Sequence, residues 1–152
     1  MWYILNIKTH FVLLANFVRE IWDLFEGSRL FPSRNAEGQY SERYHLAQTV
    51  AVLGPLPLEL IRKSKKSGRF WNDDGEWICD VAIPQLTLED KETRLEGQEK
   101  ILFLSFIRKM LQWRPEDRCI CRDIFFDEWL LGDLIASGKV KPPPKDTENT
   151  GK

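Results

Sequence analysis

From residue 11 onward, the apolar positions of this chain fall at helical intervals. Leu14, Phe17, Val18, Ile21, Trp22 and Phe25 recur three and four residues apart, and Gly27 closes the run, which predicts a helix over 11–26. Residues 28–40 are rich in Gly, Pro, Asn and Ser and read as a loop. In SERYHLAQTVAVLG, Ser41 stands at a capping position, Leu46, Val50 and Leu53 share a face, and Gly54 ends the run, so a second, shorter helix is predicted. The prolines of PLPLELIRKS open a brief helix around 58–64, whose basic end suits the negative helix terminus. Asp74-Gly75 marks a tight turn. No long period runs from Cys79 to Gly97, and an extended loop is expected there. GQEKILFLSFIRKMLQW is strongly helical, with Ile101, Leu104, Phe106, Ile107 and Leu111 forming a broad apolar surface. A break at Trp113-Arg114-Pro115 precedes one last helix that holds Ile124, Phe125, Trp129 and Leu130. No alternating run is long enough to build a sheet. The expected class is all-α, with ordered loops between the helices.

The two ends differ from this middle. MWYILNIKTHFVLLANFV is apolar, but Lys8 and His10 interrupt it and no small-residue cleavage site follows, so it does not read as a targeting segment. Its apolar runs are too short to span a bilayer. A buried or partner-seeking helix is expected, with an interfacial membrane helix as the second reading. At the other end, KVKPPPKDTENTGK is proline-rich and then polar, with nothing to bury, which predicts a disordered tail.

Composition narrows the function classes. A chain of 152 residues is about one domain long, and 22 basic residues against 23 acidic ones leave no global field to draw nucleic acid or an anionic membrane. Neither partner is expected. Cys79, Cys119 and Cys121 have no metal-ligand spacing and read as reduced thiols of an intracellular protein, cytoplasmic or nuclear. No phosphate-cradling glycine motif is present, and His10 and His45 have no nucleophile and base arranged around them. Asp73 and Asp74 are explained by a turn without a metal, and the basic run RKSKKSGR reads as a solvated helix end in preference to a phosphate-binding patch. On these residues no catalytic, cofactor or metal site is expected.

Arg118, in LQWRPEDR, is the residue that calls for explanation. It lies between two apolar helical stretches, where chain elements converge, and a guanidinium buried there asks for a carboxylate.

Read in order, IWDLFEGSRLF, YHLAQTVAVLGPLP, FLSFIRKMLQWRPEDR and the DEWL of FFDEWLL resemble the C-terminal part of a protein kinase domain, and more narrowly the SR-protein kinase branch of the serine/threonine kinases. The resemblance runs from about Ile21 to Leu131. It implies a partial kinase C-terminal lobe of about five or six helices with long loops. It also implies a division into a divergent apolar helix over 1–20, a lobe-like unit over 21–131 and a disordered polar and proline-rich tail over 132–152. ATP and magnesium are implied only for a full-length parent. The Gly-rich loop, the Val-Ala-Ile-Lys lysine, the His-Arg-Asp loop, Asp-Phe-Gly and Ala-Pro-Glu are all missing from this sequence, so the chain by itself is expected to be inactive.

Departures from the family pattern add detail. The Asp-x-Trp-x-x-Gly signature of the family's buried helix falls on Leu13, Ala15 and Val18, so the first twenty residues look like a truncated gene product or an altered reading of an upstream segment. Two acidic positions of the family's docking groove correspond to Tyr44 and Ala51, which puts docking of Arg-Ser-rich substrates in doubt; Glu42, Asp73 and Asp74 are the weak substitutes. The family's late arginine pairs with the Ala-Pro-Glu glutamate. Without it, Arg118 is expected to turn toward water or to take Glu116, Asp117 or Asp123 instead. The competing function is a stand-alone helical module that binds a protein partner through exposed apolar helix surfaces.

Overall fold

A computed structural model describes residues 9–142. The all-α expectation holds among these residues, where the only strand-like pairings are isolated bridges at Arg34–Tyr40 and Trp71–Trp77. Seven α-helices follow in order: α1 (Thr9–Glu26), α2 (Glu42–Leu53), α3 (Leu58–Lys63), α4 (Leu88–Lys91), α5 (Gly97–Met110), α6 (Cys121–Phe125) and α7 (Glu128–Ala136). Two 3-10 turns, Ser67–Arg69 and Pro115–Asp117, follow α3 and α5. Among the described residues, no helix is long and apolar enough to cross a membrane.

Local chemistry sets the ends of these helices. Ser41 caps α2 by accepting the Tyr44 amide through its hydroxyl. At the end of α1, Gly27 has a φ of 67°, which lets its N–H return to the Asp23 carbonyl. The Asp23 carboxylate then accepts the Leu30 amide and directs the chain inward at Leu30 and Phe31.

Two sequence-based expectations need correction. The stretch 79–97 is not loop throughout, because Thr87 and Asp90 form a reciprocal capping box that starts the single turn α4. The last helix is two helices. Asp127 interrupts it, with extended backbone and a carboxylate that accepts the Trp129 amide, and so ends α6 and starts α7. Helix α1 runs unbroken across residue 20, with Val18 fully buried. Helix α7 continues past residue 131 to Ala136 and closes at Gly138. Residues 1–8 and 143–152, which carry part of the expected N-terminal segment and part of the expected tail, lie outside the described residues.

Two apolar clusters hold the helices together. The larger joins α1, α4, α5 and α6 through Val18, Trp22, Leu88, Phe103, Phe106, Ile107 and Ile124. Trp22 stacks on Phe103 at 5.7 Å between centroids, and Trp129 of α7 lies 4.9 Å from the same Phe103 ring. Complete burial of one such aromatic stabilises by roughly 1.5–3 kcal/mol. The smaller cluster gathers Leu46, Val50, Ile61, Phe70, Trp71 and Trp113 around α2 and α3. Leu53 touches both clusters, so α2 is the element that couples them.

Candidate functional site

The junction after α5 is where LQWRPEDR sits. Leu111 leaves the helix, Trp113 buries its ring beside α2 and donates its indole N–H to the Gly54 carbonyl at 3.1 Å. The 3-10 turn at Pro115–Asp117 then folds the chain back. Arg118 is only 6% exposed, so it does not turn toward water. Its Nε and Nη2 both donate to the Gln112 carbonyl, at 3.0 and 2.8 Å. Two N–H groups of the fork that pointed to a carboxylate are thus met by a main-chain oxygen six residues back. Burial pushes the guanidinium pKa down, and the Glu116 charge offsets part of that. The arrangement is that of a structural clasp across a turn.

The docking candidates lie on two elements. Glu42, in the first turn of α2, accepts from Arg69 at 3.4 Å. Asp73 and Asp74 sit exposed at the tip of the 71–77 turn, where the Asn72 side chain accepts the Asp74 and Glu76 amides. Among the described residues, no hydrogen bond or ion pair joins Glu42 to that tip. The groove beside α2, about 520 Å³, is instead lined by Val50, Ala51, Gly54, Pro55 and the 83–87 segment, with Asp90 as its carboxylate. That carboxylate is already engaged. It accepts the Thr87 amide at 2.9 Å and the Thr87 hydroxyl at 2.7 Å, and these bonds hold its pKa below the usual range. Among the described residues, no group of three or more His, Cys, Asp or Glu side chains could hold a metal ion.

Sequence reasoning missed the most buried acids. Glu92, 2% exposed, accepts the Arg94 and Leu95 amides at 2.7 and 2.6 Å, and its other oxygen lies 3.2 Å from Lys100 Nζ. That second contact lacks hydrogen-bond geometry, so the Glu92–Lys100 link is a charge pair. Lys100 directs its protons to the carbonyls of Glu89 and Glu92. Glu26 at the end of α1 accepts the Thr93 amide and hydroxyl and so ties α1 to the same loop. Asp127 takes Lys109 at 2.6 Å and locks α7 onto α5. The signals available in the sequence were local ones. T-x-x-D at 87–90 is a capping box, and Asp127 ahead of Glu-Trp-Leu-Leu is an N-cap. Nothing local marks Glu92 as buried.

Comparison with known proteins fits this helical framework. No protein-family model matches the chain. A serine/threonine protein kinase of Aspergillus fumigatus is 43% identical over 111 residues, which cover 73% of this chain and 28% of that protein. A serine/threonine-protein kinase of Schizosaccharomyces pombe is 32% identical over 113 residues, covering 72% of this chain and 13% of that protein. The serine/threonine-protein kinase SRPK of Physarum polycephalum is 30% identical over 108 residues, covering 68% of this chain and 25% of that protein. Each match takes in most of this chain and a small part of the relative. With the four motifs in order on an all-helical frame, the chain belongs to the serine/threonine protein kinases, on their SR-protein-kinase-like branch, and corresponds to part of the C-terminal lobe.

Proposed function

We propose that this polypeptide is a catalytically silent part of a kinase C-terminal lobe, and that its full-length parent transfers phosphate from ATP to protein serine and threonine hydroxyls. One observation carries the reading: the late kinase motifs occur in order, while the residues that position ATP do not occur at all. Kinase catalysis is mostly positioning and charge stabilisation, supplied by a phosphate-binding lysine, a base aspartate and magnesium ligands. The sequence has none of those patterns. The purified 152-residue chain should therefore neither bind ATP nor label a protein substrate with radioactive phosphate in magnesium buffer. Magnesium-dependent transfer above background would refute the reading. For the parent, we infer a weak charge-based grip on Arg-Ser-rich substrates at the α2 groove, because Asp90 is the one carboxylate among its lining residues.

A second reading, a helical interaction module, rests on α7. Trp129, Leu130, Leu131, Leu134 and Ile135 make this helix apolar on all sides, yet none of its residues is fully buried. On α1, Leu24 is 86% exposed. Bare apolar surface of this kind marks interfaces. A monomeric chain that unfolds cooperatively and binds no hydrophobic dye would rule this reading out.

A further inference from the structure

The segment from Ile61 to Phe70 repeats a burial pattern every three residues. Ile61, Ser64, Ser67 and Phe70 are buried, and the six positions between them face solvent. Five of those six are cations, Arg62, Lys63, Lys65, Lys66 and Arg69, and the sixth is Gly68. Ser67 holds the ridge in shape. Its buried hydroxyl donates to the carbonyls of Ile61 and Ser64, each at 2.6 Å, and its own carbonyl accepts the Phe70 and Trp71 amides. Side chains on such a scaffold are displayed by a backbone that is already ordered.

Folding explains only part of this charge. Arg62 and Lys63 lie in the last turn of α3 and offset its negative end. Arg69 sits 5.5 Å over the Phe70 ring and reaches Glu42. The ammonium groups of Lys65 and Lys66 make no ion pair or hydrogen bond among the described residues. Placed between other cations, with no acid in sequence between Glu59 and Asp73, they add self-repulsion to the folded state. The overall charge of −1 makes this a local feature.

The chemistry of the ridge selects among polyanions. Phe70 and Trp71 are buried, so no aromatic face on the ridge is free to stack a base. No exposed apolar side chain alternates with the cations to enter a membrane. What remains is a row of compact charges on flexible stems, which suits carboxylates spaced along an extended chain. We propose that the Arg62–Arg69 ridge docks an Asp/Glu-rich segment of a protein partner. This does not depend on the kinase reading, because it requires neither ATP nor a transfer step.

The test uses the full chain and a fluorescent ten-residue alternating Glu-Asp peptide, followed by anisotropy at several salt concentrations. Binding should weaken as salt rises. The double variant Lys65→Gln/Lys66→Gln should bind the peptide roughly five- to tenfold more weakly, with an unchanged circular dichroism spectrum. The matched loss of charge in Lys139→Gln/Lys141→Gln should leave affinity within about twofold. Equal affinity of the two double variants would overturn the proposal. So would tighter binding to oligouridylate or to phosphatidylserine vesicles than to the peptide.

Discussion

Replacing Glu92 with Gln removes one charge and almost no volume from the loop between α4 and α5. The side chain is fully buried, and one of its oxygens accepts two main-chain amides, so the Gln carbonyl can keep those bonds. The other oxygen faces Lys100 Nζ at 3.2 Å, and in the variant an amide NH2 group would meet an ammonium there. Breaking a buried pair by removing one partner costs about 3–5 kcal/mol. Lys100 is 29% exposed and recovers some hydration, so about 2–3 kcal/mol is expected for Glu92→Gln. Glu92→Ala also leaves two amides without acceptors, which brings the loss to about 4 kcal/mol or more. At this chain length, the Gln variant should melt roughly 5–10 °C lower.

The pH dependence supplies a second readout of the same contact. Burial alone would raise the Glu92 carboxyl pKa, but the Leu95 and Arg94 amides and Lys100 outweigh it and hold the group below its ordinary value. A depressed carboxylate stabilises the fold fully above the unfolded value near pKa ~4.3, and that contribution fades as pH falls through the lower folded value. Urea unfolding followed by circular dichroism at pH 7 and at about pH 3 would measure both effects. The wild-type chain should lose more stability on acidification than Glu92→Gln. A loss at pH 7 below about 1 kcal/mol, or identical acid sensitivity in the two proteins, would refute the reasoning.

Other contacts lead to shorter expectations. Asp127→Ala removes both the α7 cap and the carboxylate paired with Lys109 and should cost about 2–4 kcal/mol in urea unfolding, whereas Asp127→Asn keeps a cap acceptor and should cost less. Gly27→Ala places a side chain at φ 67°, 3.3 Å from the Arg94 guanidinium, and should lower stability by about 1–2 kcal/mol in the same assay. Arg108→Ala breaks the pair with Glu89, but both side chains are about half exposed, so a change of no more than about 0.5 kcal/mol is expected. Burial lowers the pKa of His45, against the pull of the Pro32 carbonyl. The unfolded chain therefore takes up the proton first, and stability should fall as pH drops below about 6.5, less so in His45→Gln.

The helices were legible because their signals are local. Apolar spacing marks α1, α2 and α5, Ser41 and Gly54 mark the ends of α2, and the motif order from Ile21 to Leu131 carries the kinase resemblance. The capping box of α4 and the cap at Asp127 were equally local. They stayed hidden because one turn is too short for periodicity, and because the apolar residues on both sides of Asp127 read as a single run. The docking candidates show the limit from the other side. Charge marks Glu42, Asp73 and Asp74 as docking candidates, but their contacts, Glu42 with Arg69 and the Asp74 amide with Asn72, depend on the folded chain.

Sequence by itself thus determined the helical class, the family and which residue types needed partners, since these depend on neighbours along the chain. Tertiary structure alone decided who those partners are. Two of the Arg118 guanidinium nitrogens reach the Gln112 carbonyl, because the 3-10 turn at Pro115–Asp117 brings that oxygen close. Glu92 looked like any other acid in a charged stretch, yet burial on the α5 side of the loop makes it the anchor for two amides and Lys100. A side chain's chemistry is written in its residue type, whereas its desolvation and its distances depend on elements far away in sequence.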